Sequence, residues 1–319
     1  MQTTFPRLML EHARQRPDAP ALREKEYGIW QAVSWASVAA LVRQLACGLA
    51  ARGVGRNDHV VVVGENRPRL YASMLAIQSL GAVPVPLYQD AAVTEYAFPV
   101  NNAEVRCAIV EDQEQVDKML ELRDACPQLD RIWFDDPRGL RNYGDAGLES
   151  MDALIEAGAA FDRQNPAFFD AEVAKASPDD VAAMFFTSGT TGNPKGVVHT
   201  HFTLLDRAGA GRKFDRLSSS EEVLAYLPPA WIGQNIFSYA QWLVCGYVVN
   251  CPESAATVMI DLKEIGPTYY FAPPRVFEGL LTSVMIRMED ASAVKRHLFH
   301  HFMEVARRVG PQRMDGKSV

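Results

Sequence analysis

The sequence lacks several features that define other classes of protein. Its five cysteines are scattered and none stands in a C-x-x-C pair, which argues against a disulfide framework and against zinc-binding spacings. Long apolar runs are missing too, and Arg7 interrupts the short apolar patch near the start, so neither a signal peptide nor a membrane-spanning helix is predicted. Free thiols and the missing leader predict residence in the reducing cytoplasm.

Excess basic charge is also absent. The chain has 32 Lys and Arg against 39 Asp and Glu, a net charge of −7, which argues against a nucleic-acid partner. Hydrophobic residues make up 48% and charged residues 22%, without a low-complexity tract, which excludes a disordered or fibrous chain. A globular protein with small-molecule partners is the remaining expectation.

Alternating strand and helix patterns predict an α/β fold. From about residue 58, short apolar runs such as "HVVVVGEN", "AVPVPLY", "RCAIVED" and "RIWFD" are separated by helical stretches, including one over 112–125. Runs that are apolar throughout are typical of parallel strands covered on both faces. The alternation resumes after residue 180, with strands at "VAAMFF", "EVLAYL", "YVVNC" and "TYYFA" and helices around 199–210, 232–245, 253–265 and 274–288. We therefore expect two mostly parallel sheets flanked by helices, with ligands beyond the carboxyl ends of the strands.

A change of composition between residues 136 and 180 predicts a connecting segment with one short helical piece, because it is rich in Gly, Asp and Arg. The predicted organisation is a first α/β subdomain over 1–175 and a second over 176–319.

One stretch, "FFTSGTTGNPKGVVHTH" at residues 185–201, carries the strongest chemical signal. A buried strand runs into hydroxyl and glycine residues, then reaches Lys195, and a helix is expected to resume near Val197. Glycines allow close backbone approach to an anion, while N–H groups, hydroxyls and one Lys supply donors and charge, so a phosphate-binding loop is predicted. A Walker A loop is excluded because Pro194 precedes Lys195 and Gly196 follows it. A merely flexible surface loop is the less favoured alternative.

This stretch resembles the signature loop of the adenylate-forming (AMP-binding) superfamily. "HVVVVGENRPRLYASMLAIQSLGAVPVPLY" is similar to an earlier segment of that family, and "GPTYYFAPPRVFEGLL" with "ASAVKRHLFHHFMEVARRVG" looks most like its long-chain fatty acyl-CoA synthetase branch. The resemblance implies a ligase that joins a carboxylate to ATP, releases pyrophosphate, and passes the acyl group to CoA. It implies Lys195 as the catalytic charge, and as phosphate contacts Thr187, Ser188, Gly189, Thr190, Thr191, Gly192 and Lys195. Mg²⁺ is implied as well, with its Glu ligand expected beyond residue 319.

The same resemblance implies substrate contacts further along the chain. In "AYLPPAWIGQNIF", Trp231 stands where long-chain enzymes often carry His near the acyl group. Trp can line a pocket but cannot share protons as His can, and a purely structural role for Trp231 is equally open. Pro273 and Arg275, in the family-like "PRVFE" turn, are the other candidates for binding a fatty acid or another small carboxylate.

Two further features favour structural readings. The histidines at 199, 201, 297, 300 and 301 lack partners at zinc-ligand spacing, so no metal site is predicted from them. The helical pattern over 294–309 has one apolar face with basic residues beside it, which suits contact with a membrane surface but more commonly a core-facing helix.

The later family segments, including the Thr-Glu turn that holds Mg²⁺ and the mobile C-terminal domain with its Lys, do not occur in this sequence. We expect the chain to be the N-terminal portion of a fatty acyl-CoA synthetase that is not active alone. Two alternatives stay open, namely a non-catalytic module that binds ATP or acyl-adenylate, and an adenylating ligase with an acceptor other than CoA. Oligomeric state cannot be predicted.

Overall fold

The structure, a computed structural model, describes residues 2–187 and 192–318. The chain divides into two compact units, Met1–Tyr269 and Tyr270–Val319, which are described separately below.

The first unit alternates helices and strands along the chain. Its first part contains α1 (Phe5–Gln15), β1 (Pro20–Glu26), β2 (Ile29–Ser34), α2 (Trp35–Ala51), β3 (His59–Val63), α3 (Pro68–Ser79), β4 (Val83–Pro86), α4 (Val93–Asn102), β5 (Cys107–Val110), α5 (Gln113–Leu122), β6 (Arg131–Phe134), β7 (Leu148–Ser150), α6 (Met151–Gln164) and α7 (Phe168–Lys175). Its second part contains β8 (Val181–Thr187), β9 (Lys195–Thr200), α8 (His201–Asp215), β10 (Glu222–Leu224), α9 (Ile232–Gln234), a π-helix (Asn235–Ala240), α10 (Gln241–Cys245), β11 (Val248–Cys251) and α11 (Val258–Ile265).

Local sequence explains where several helices begin. The side chains of Ser34, Asp112, Ser150 and Thr200 each accept a hydrogen bond from the backbone N–H three residues later. Such capping satisfies one of the N–H groups that a helix start leaves without a partner. These four residues therefore fix the starts of α2, α5, α6 and α8.

The strands form two larger sheets and one hairpin. The five-stranded sheet has the order β4-β3-β5-β6-β7, and every neighbouring pair in it is parallel. The four-stranded sheet has the order β10-β11-β1-β2, with β2 antiparallel and the other pairs parallel. Strands β8 and β9 pair antiparallel as a separate hairpin. The predicted α/β class, with two mostly parallel sheets flanked by helices, is confirmed.

Strands from distant parts of the chain share the four-stranded sheet. β1 pairs in parallel with β11, so that Leu22 lies opposite Val249. The sheet therefore takes strands from both sides of the predicted subdomain boundary at residues 175 and 176, which stays a prediction.

Three details of the predicted secondary structure were wrong. Within the stretch 185–201, Lys195–Thr200 forms strand β9 rather than a helix that resumes near Val197, because its residues pair with β8 and α8 begins only at His201. Residues 268–272, all of which the structure describes, form no strand, since the backbone N–H groups of Thr268 and Tyr269 both donate to the carbonyl of Glu222 and no ladder follows. The segment 136–180 is more than a connection, since it supplies β7, α6 and α7.

Helices α2 and α6 approach each other closely through two glycines. A Cβ atom added at Gly158 would lie 1.8 Å from the carbonyl oxygen of Gln44, and one added at Gly48 would lie 2.3 Å from the carbonyl oxygen of Leu154. The two backbones are therefore in direct contact at these positions, beneath a core in which Trp35 stacks on Trp242 at a centroid distance of 4.8 Å.

The second unit consists of α12 (Pro274–Glu289) and α13 (Ala293–Met314), with no buried side chain in either helix. Both match predicted helices. No helix in the described parts of the chain is long and apolar enough to span a bilayer.

Stability of the first unit is expected to fall in acid because of His201, the first residue of α8. The side chain is 1% exposed, and its Nδ1 accepts a hydrogen bond from the backbone N–H of Phe5 at 3.3 Å. Burial lowers the pKa of His201 from 6.5 to about 4, so the unfolded chain takes up the proton first as pH falls. The contribution of neutral His201 to the free energy of unfolding is fully present above pH 6.5. Acidification to pH 4 removes about 3 kcal/mol of it.

The measurement is urea unfolding at pH 7 and pH 4 for the wild type and for His201→Asn, whose amide oxygen can replace Nδ1 as the acceptor. The variant should keep most of the stability that the wild type loses. An equal loss in both proteins would assign the acid sensitivity to other groups.

Candidate functional site

The predicted phosphate loop connects β8 to β9. Thr187 and Lys195 are opposite each other in the strand register, and both side chains are exposed. Gly192 is exposed and has a φ of +129°, a conformation that favours glycine, and nothing would contact an added Cβ there. Of the other predicted contacts, Ser188, Gly189, Thr190 and Thr191 lie outside the described residues.

The described ends of the loop have the chemistry that a polyphosphate needs. A threonine and a lysine are opposite each other in the hairpin, and Gly192, with open space around it, precedes the lysine in the chain. Hydroxyl and backbone donors with one Lys suit phosphate oxygens, since they supply hydrogen bonds and charge without carboxylate competition. The residues present therefore fit a nucleotide triphosphate. Their contacts with it stay a prediction.

Trp231 follows strand β10 in a tightly bonded turn. Its backbone N–H donates to the carbonyl of Pro228 at 2.9 Å, and its own carbonyl accepts from Asn235 Nδ2 at 3.2 Å. The indole ring is half-buried and lies over Gly233, where an added Cβ would come within 2.3 Å of the ring. Glycine at 233 is thus the residue that lets the indole lie there.

A buried polar cluster, which sequence reasoning missed, holds the start of this turn. Tyr71 OH donates to Asn66 Oδ1 at 2.9 Å, and Gln234 Nε2 lies 2.9 Å from the same oxygen and 3.1 Å from the Tyr71 hydroxyl. Asn66 Nδ2 donates to the carbonyl of Leu227 at 2.9 Å. We call Asn66, Tyr71 and Gln234 the buried triad.

The residue after Asn66 makes a second connection between the two larger sheets. Arg67 donates to the carbonyls of Pro252 and Glu253, each at 2.9 Å, and lies 3.1 Å from the carboxylate of Glu111. Pro252 and Glu253 follow β11 of the four-stranded sheet, whereas Arg67 and Glu111 follow β3 and β5 of the five-stranded sheet. The "GENRPR" segment, noticed in the sequence only as family-like, therefore joins the carboxyl ends of both sheets.

A cleft of about 320 Å³ lies where those carboxyl ends meet. Every residue lining it follows β3, β4, β10 or β11 in the sequence. Its lining combines four polar residues, Glu65, Asn66, Gln89 and Asp90, with the largely apolar residues Leu87, Tyr88, Tyr226, Leu227, Pro228, Pro229, Pro252, Ala255 and Val258. This location agrees with the expectation that ligands bind beyond the carboxyl ends of parallel strands.

The remaining predicted substrate residues lie in the second unit. Pro273 precedes α12 at its N-cap position, and Arg275 is in its first turn. Their predicted role in binding the acid stays a prediction. Among the histidines, His300 Nε2 lies 2.9 Å from the carboxylate of Glu289 within the same unit, an exposed pair on the helices' surface.

Comparison with known proteins assigns the class. The profile of the AMP-binding enzyme family matches residues 9–313, nearly the whole chain, and the chain belongs to that family. Among curated proteins, it is 28% identical over 294 residues to the long-chain-fatty-acid–CoA ligase FadD15 of Mycobacterium bovis, covering 92% of this chain and 47% of that protein. It is 24% identical to the long-chain-fatty-acid–CoA ligase ACSBG1 of Rattus norvegicus, covering 89% of this chain and 40% of that protein. The chain thus spans less than half the length of these relatives.

Solved structures agree on the fold. The long-chain-fatty-acid–CoA ligase FadD1 from Archaeoglobus fulgidus superposes with a TM-score of 0.74 at 17% identity, covering 92% of this chain and 55% of that one. The adenylation domain of a carboxylate reductase from Mycobacterium chelonae gives a TM-score of 0.70 at 18% identity, covering 91% of this chain and 49% of that one. The resemblance stated from the sequence, to the N-terminal portion of adenylate-forming enzymes, is confirmed.

Proposed function

We propose that this chain is the N-terminal part of an acid–thiol ligase that activates a long-chain fatty acid with ATP and passes the acyl group to CoA. The observation that carries the proposal is the loop between β8 and β9, with Thr187, Gly192 and Lys195 at its described ends, within a chain of the AMP-binding enzyme family. The names of the curated relatives support the choice of a fatty acid and of CoA. Alone, the chain is expected to bind substrates and not to complete the reaction.

The reaction needs its residues chiefly for positioning and for charge. A carboxylate oxygen attacks the α-phosphorus of ATP, the bond from that phosphorus to pyrophosphate breaks, and the thiol of CoA later displaces AMP from the acyl carbon. The proposed role of Lys195 is to neutralise the triphosphate while Thr187 and Gly192 donate to its oxygens. Mg²⁺, when bound, would add charge neutralisation on the same phosphates.

The cleft at the carboxyl ends of the two sheets supports an organic substrate with both apolar and polar parts. Its mixed lining suits a hydrocarbon or pantetheine arm that carries a polar group. We further propose cytoplasmic residence, supported by five cysteines that are all free and buried. Peripheral contact with a membrane is an additional proposal, supported by basic residues and exposed apolar side chains on α13, including Val294, Leu298 and Phe302.

The experiment that tests the function uses the polypeptide isolated from its source cells. Its intact mass is measured first, and acid-dependent exchange of labelled pyrophosphate into ATP is then assayed with fatty acids of several lengths. Exchange that requires a fatty acid is the expected result. A mass equal to the 35.4 kDa of this chain, with tight binding of an acyl-adenylate analogue and no exchange, would instead identify a non-catalytic binding module.

Trp231→Ala is expected to change the acyl-chain preference of this activity about tenfold, because removing a half-buried indole opens space beside the turn. The ratio of kcat/KM for two fatty acids that differ in length measures the effect. Trp30→Ala is the matched control, since Trp30 is also half-buried but lies on β2 with its indole N–H bonded to Glu264. An unchanged ratio in Trp231→Ala would return Trp231 to a structural role.

A further inference from the structure

We propose that the buried triad of Asn66, Tyr71 and Gln234 is a positioning device that fixes the segment Leu227–Trp231 and, with it, one wall of the cleft. The proposal goes beyond the function proposed above, and only its consequence for substrate preference rests on that function. Asn66 acts in it as a positioning residue and touches no reacting atom.

The triad is costly to bury, and each of its three side chains is hydrogen-bonded. The three side chains are 6%, 2% and 3% exposed, respectively. Asn66 Oδ1 accepts from both partners, while its Nδ2 group is used on Leu227. Apolar groups of the same shape could fill such a site with little loss of stability. The polar groups therefore act through the directional hydrogen bonds that they make to neighbouring segments.

The segment is held at both of its ends. Asn66 Nδ2 binds the carbonyl of Leu227, and Asn235 Nδ2 binds the carbonyl of Trp231, while the Trp231 N–H closes the turn onto Pro228. Gln234, the third member of the triad, is the neighbour of Asn235 in the chain. One buried network therefore reaches the start of the segment through Asn66 and its end through Gln234 and the next residue.

The backbone around Gln234 is unusual. A π-helix, Asn235–Ala240, begins directly after it. Single π-turns within helices frequently occur at functional sites, because the wider turn re-aims the side chains on either side of it. Here the wider turn follows the residue that points its amide at Asn66 and Tyr71.

The triad also reaches the cleft. Asn66 and Leu227 both line it. A shift of the Asn66 side chain would move Leu227 through their hydrogen bond. The cleft wall and the turn that carries Trp231 would then move together. The five-stranded sheet thereby sets the position of a loop that follows the four-stranded sheet.

The test labels the chain with 5-fluorotryptophan and records its ¹⁹F NMR spectrum. The sequence contains five Trp, and Trp231→Phe assigns the line of interest by its disappearance. Asn66→Ala is expected to shift or broaden the Trp231 line by several linewidths. The line of Trp133, on strand β6, should stay in place. An unmoved Trp231 line in folded Asn66→Ala protein would overturn the proposal.

Three further variants separate positioning from general loss of stability. Asn66→Asp keeps the oxygen that accepts from Tyr71 and Gln234 but turns a second oxygen toward the Leu227 carbonyl, so it should move the Trp231 line as far as Asn66→Ala does. Tyr71→Phe should move the line less, because Gln234 still donates to Asn66. Tyr239→Phe is the matched control, since Tyr239 is also 2% exposed but donates to Gln78 at 2.7 Å, and it should leave the line unmoved.

If Asn66→Ala does not fold, the comparison of Tyr71→Phe with Tyr239→Phe decides. Equal effects of these two variants on the Trp231 line would contradict the proposal. Substrate preference supplies a second readout in the polypeptide with exchange activity, where Asn66→Asp should change the chain-length ratio of kcat/KM more than it changes kcat for the preferred acid. A protein without exchange activity would refute the proposed function alone, because the NMR result does not depend on it.

Discussion

Replacing Lys195 with alanine is expected to slow the acid-dependent exchange of pyrophosphate into ATP about 100-fold, the scale on which single charge-stabilising donors act. Lys195 is the exposed first residue of β9, opposite Thr187 and next to the loop that joins β8 to β9, where the proposed function places the triphosphate. Transfer of the acyl group from preformed acyl-adenylate to CoA releases no pyrophosphate. That second step should therefore keep nearly its full rate in Lys195→Ala.

The two half-reactions are measured separately on the polypeptide that carries this chain. Lys213→Ala is the control, since Lys213 is an exposed lysine in the last turn of α8, outside the loop that joins β8 to β9. Equal slowing of both half-reactions by Lys195→Ala would mean that Lys195 supports the site as a whole. Its assignment to the triphosphate would then be wrong.

Gly158→Ala is expected to lower the free energy of unfolding by about 3 kcal/mol, at the upper end of typical overpacking costs. A methyl group at this position would fall 1.8 Å from the carbonyl oxygen of Gln44 and 2.7 Å from the backbone nitrogen of Gly48. Both obstacles are backbone atoms of α2, so no side chain can rotate away and the helices must separate. Denaturant unfolding of the purified chain measures the change.

Gly144→Ala is the matched substitution for this experiment, because Gly144 is in the same unit and nothing lies within 4 Å of an added Cβ there. It should leave stability unchanged or raise it slightly, since alanine restricts the unfolded chain. A stability of Gly158→Ala close to that of Gly144→Ala would show that α2 and α6 can move apart at little cost. The close contact of their backbones would then contribute little to the fold.

The sequence predicted those elements whose burial is uniform. Strand β5, and strand β3 after His59, are apolar and buried on both faces, so their residues identify them without any knowledge of their neighbours. Strand β1, with the sequence "PALREKE", was missed because most of its residues are polar and one of them, Lys25, is buried with ion pairs to Asp261 at 2.8 Å and Glu264 at 2.7 Å. Such pairing joins residues that are far apart in the chain, so no local sequence pattern predicts it.

The same distinction, between local and long-range features, applies to the candidate site. The phosphate loop was predicted because its chemistry is written in one continuous stretch that ends at Lys195. The buried triad was not, because Asn66 and Gln234 are 168 residues apart in the chain and meet only in the folded protein. A polar residue such as Asn66, three positions after the end of an apolar strand, is the local signal that could have drawn attention to it.

The pairing of β1 with β11 has a consequence for how the protein is made. All strands of the five-stranded sheet come from one continuous stretch, from β3 to β7, so this sheet can assemble while the ribosome is still translating the rest of the chain. The hairpin of β1 and β2 emerges earlier but must wait for Val248–Cys251 before its parallel neighbour exists. During that interval the inner edge of β1 is open to pairing with other nascent chains, and slow translation between residues 150 and 248 would lengthen the exposure.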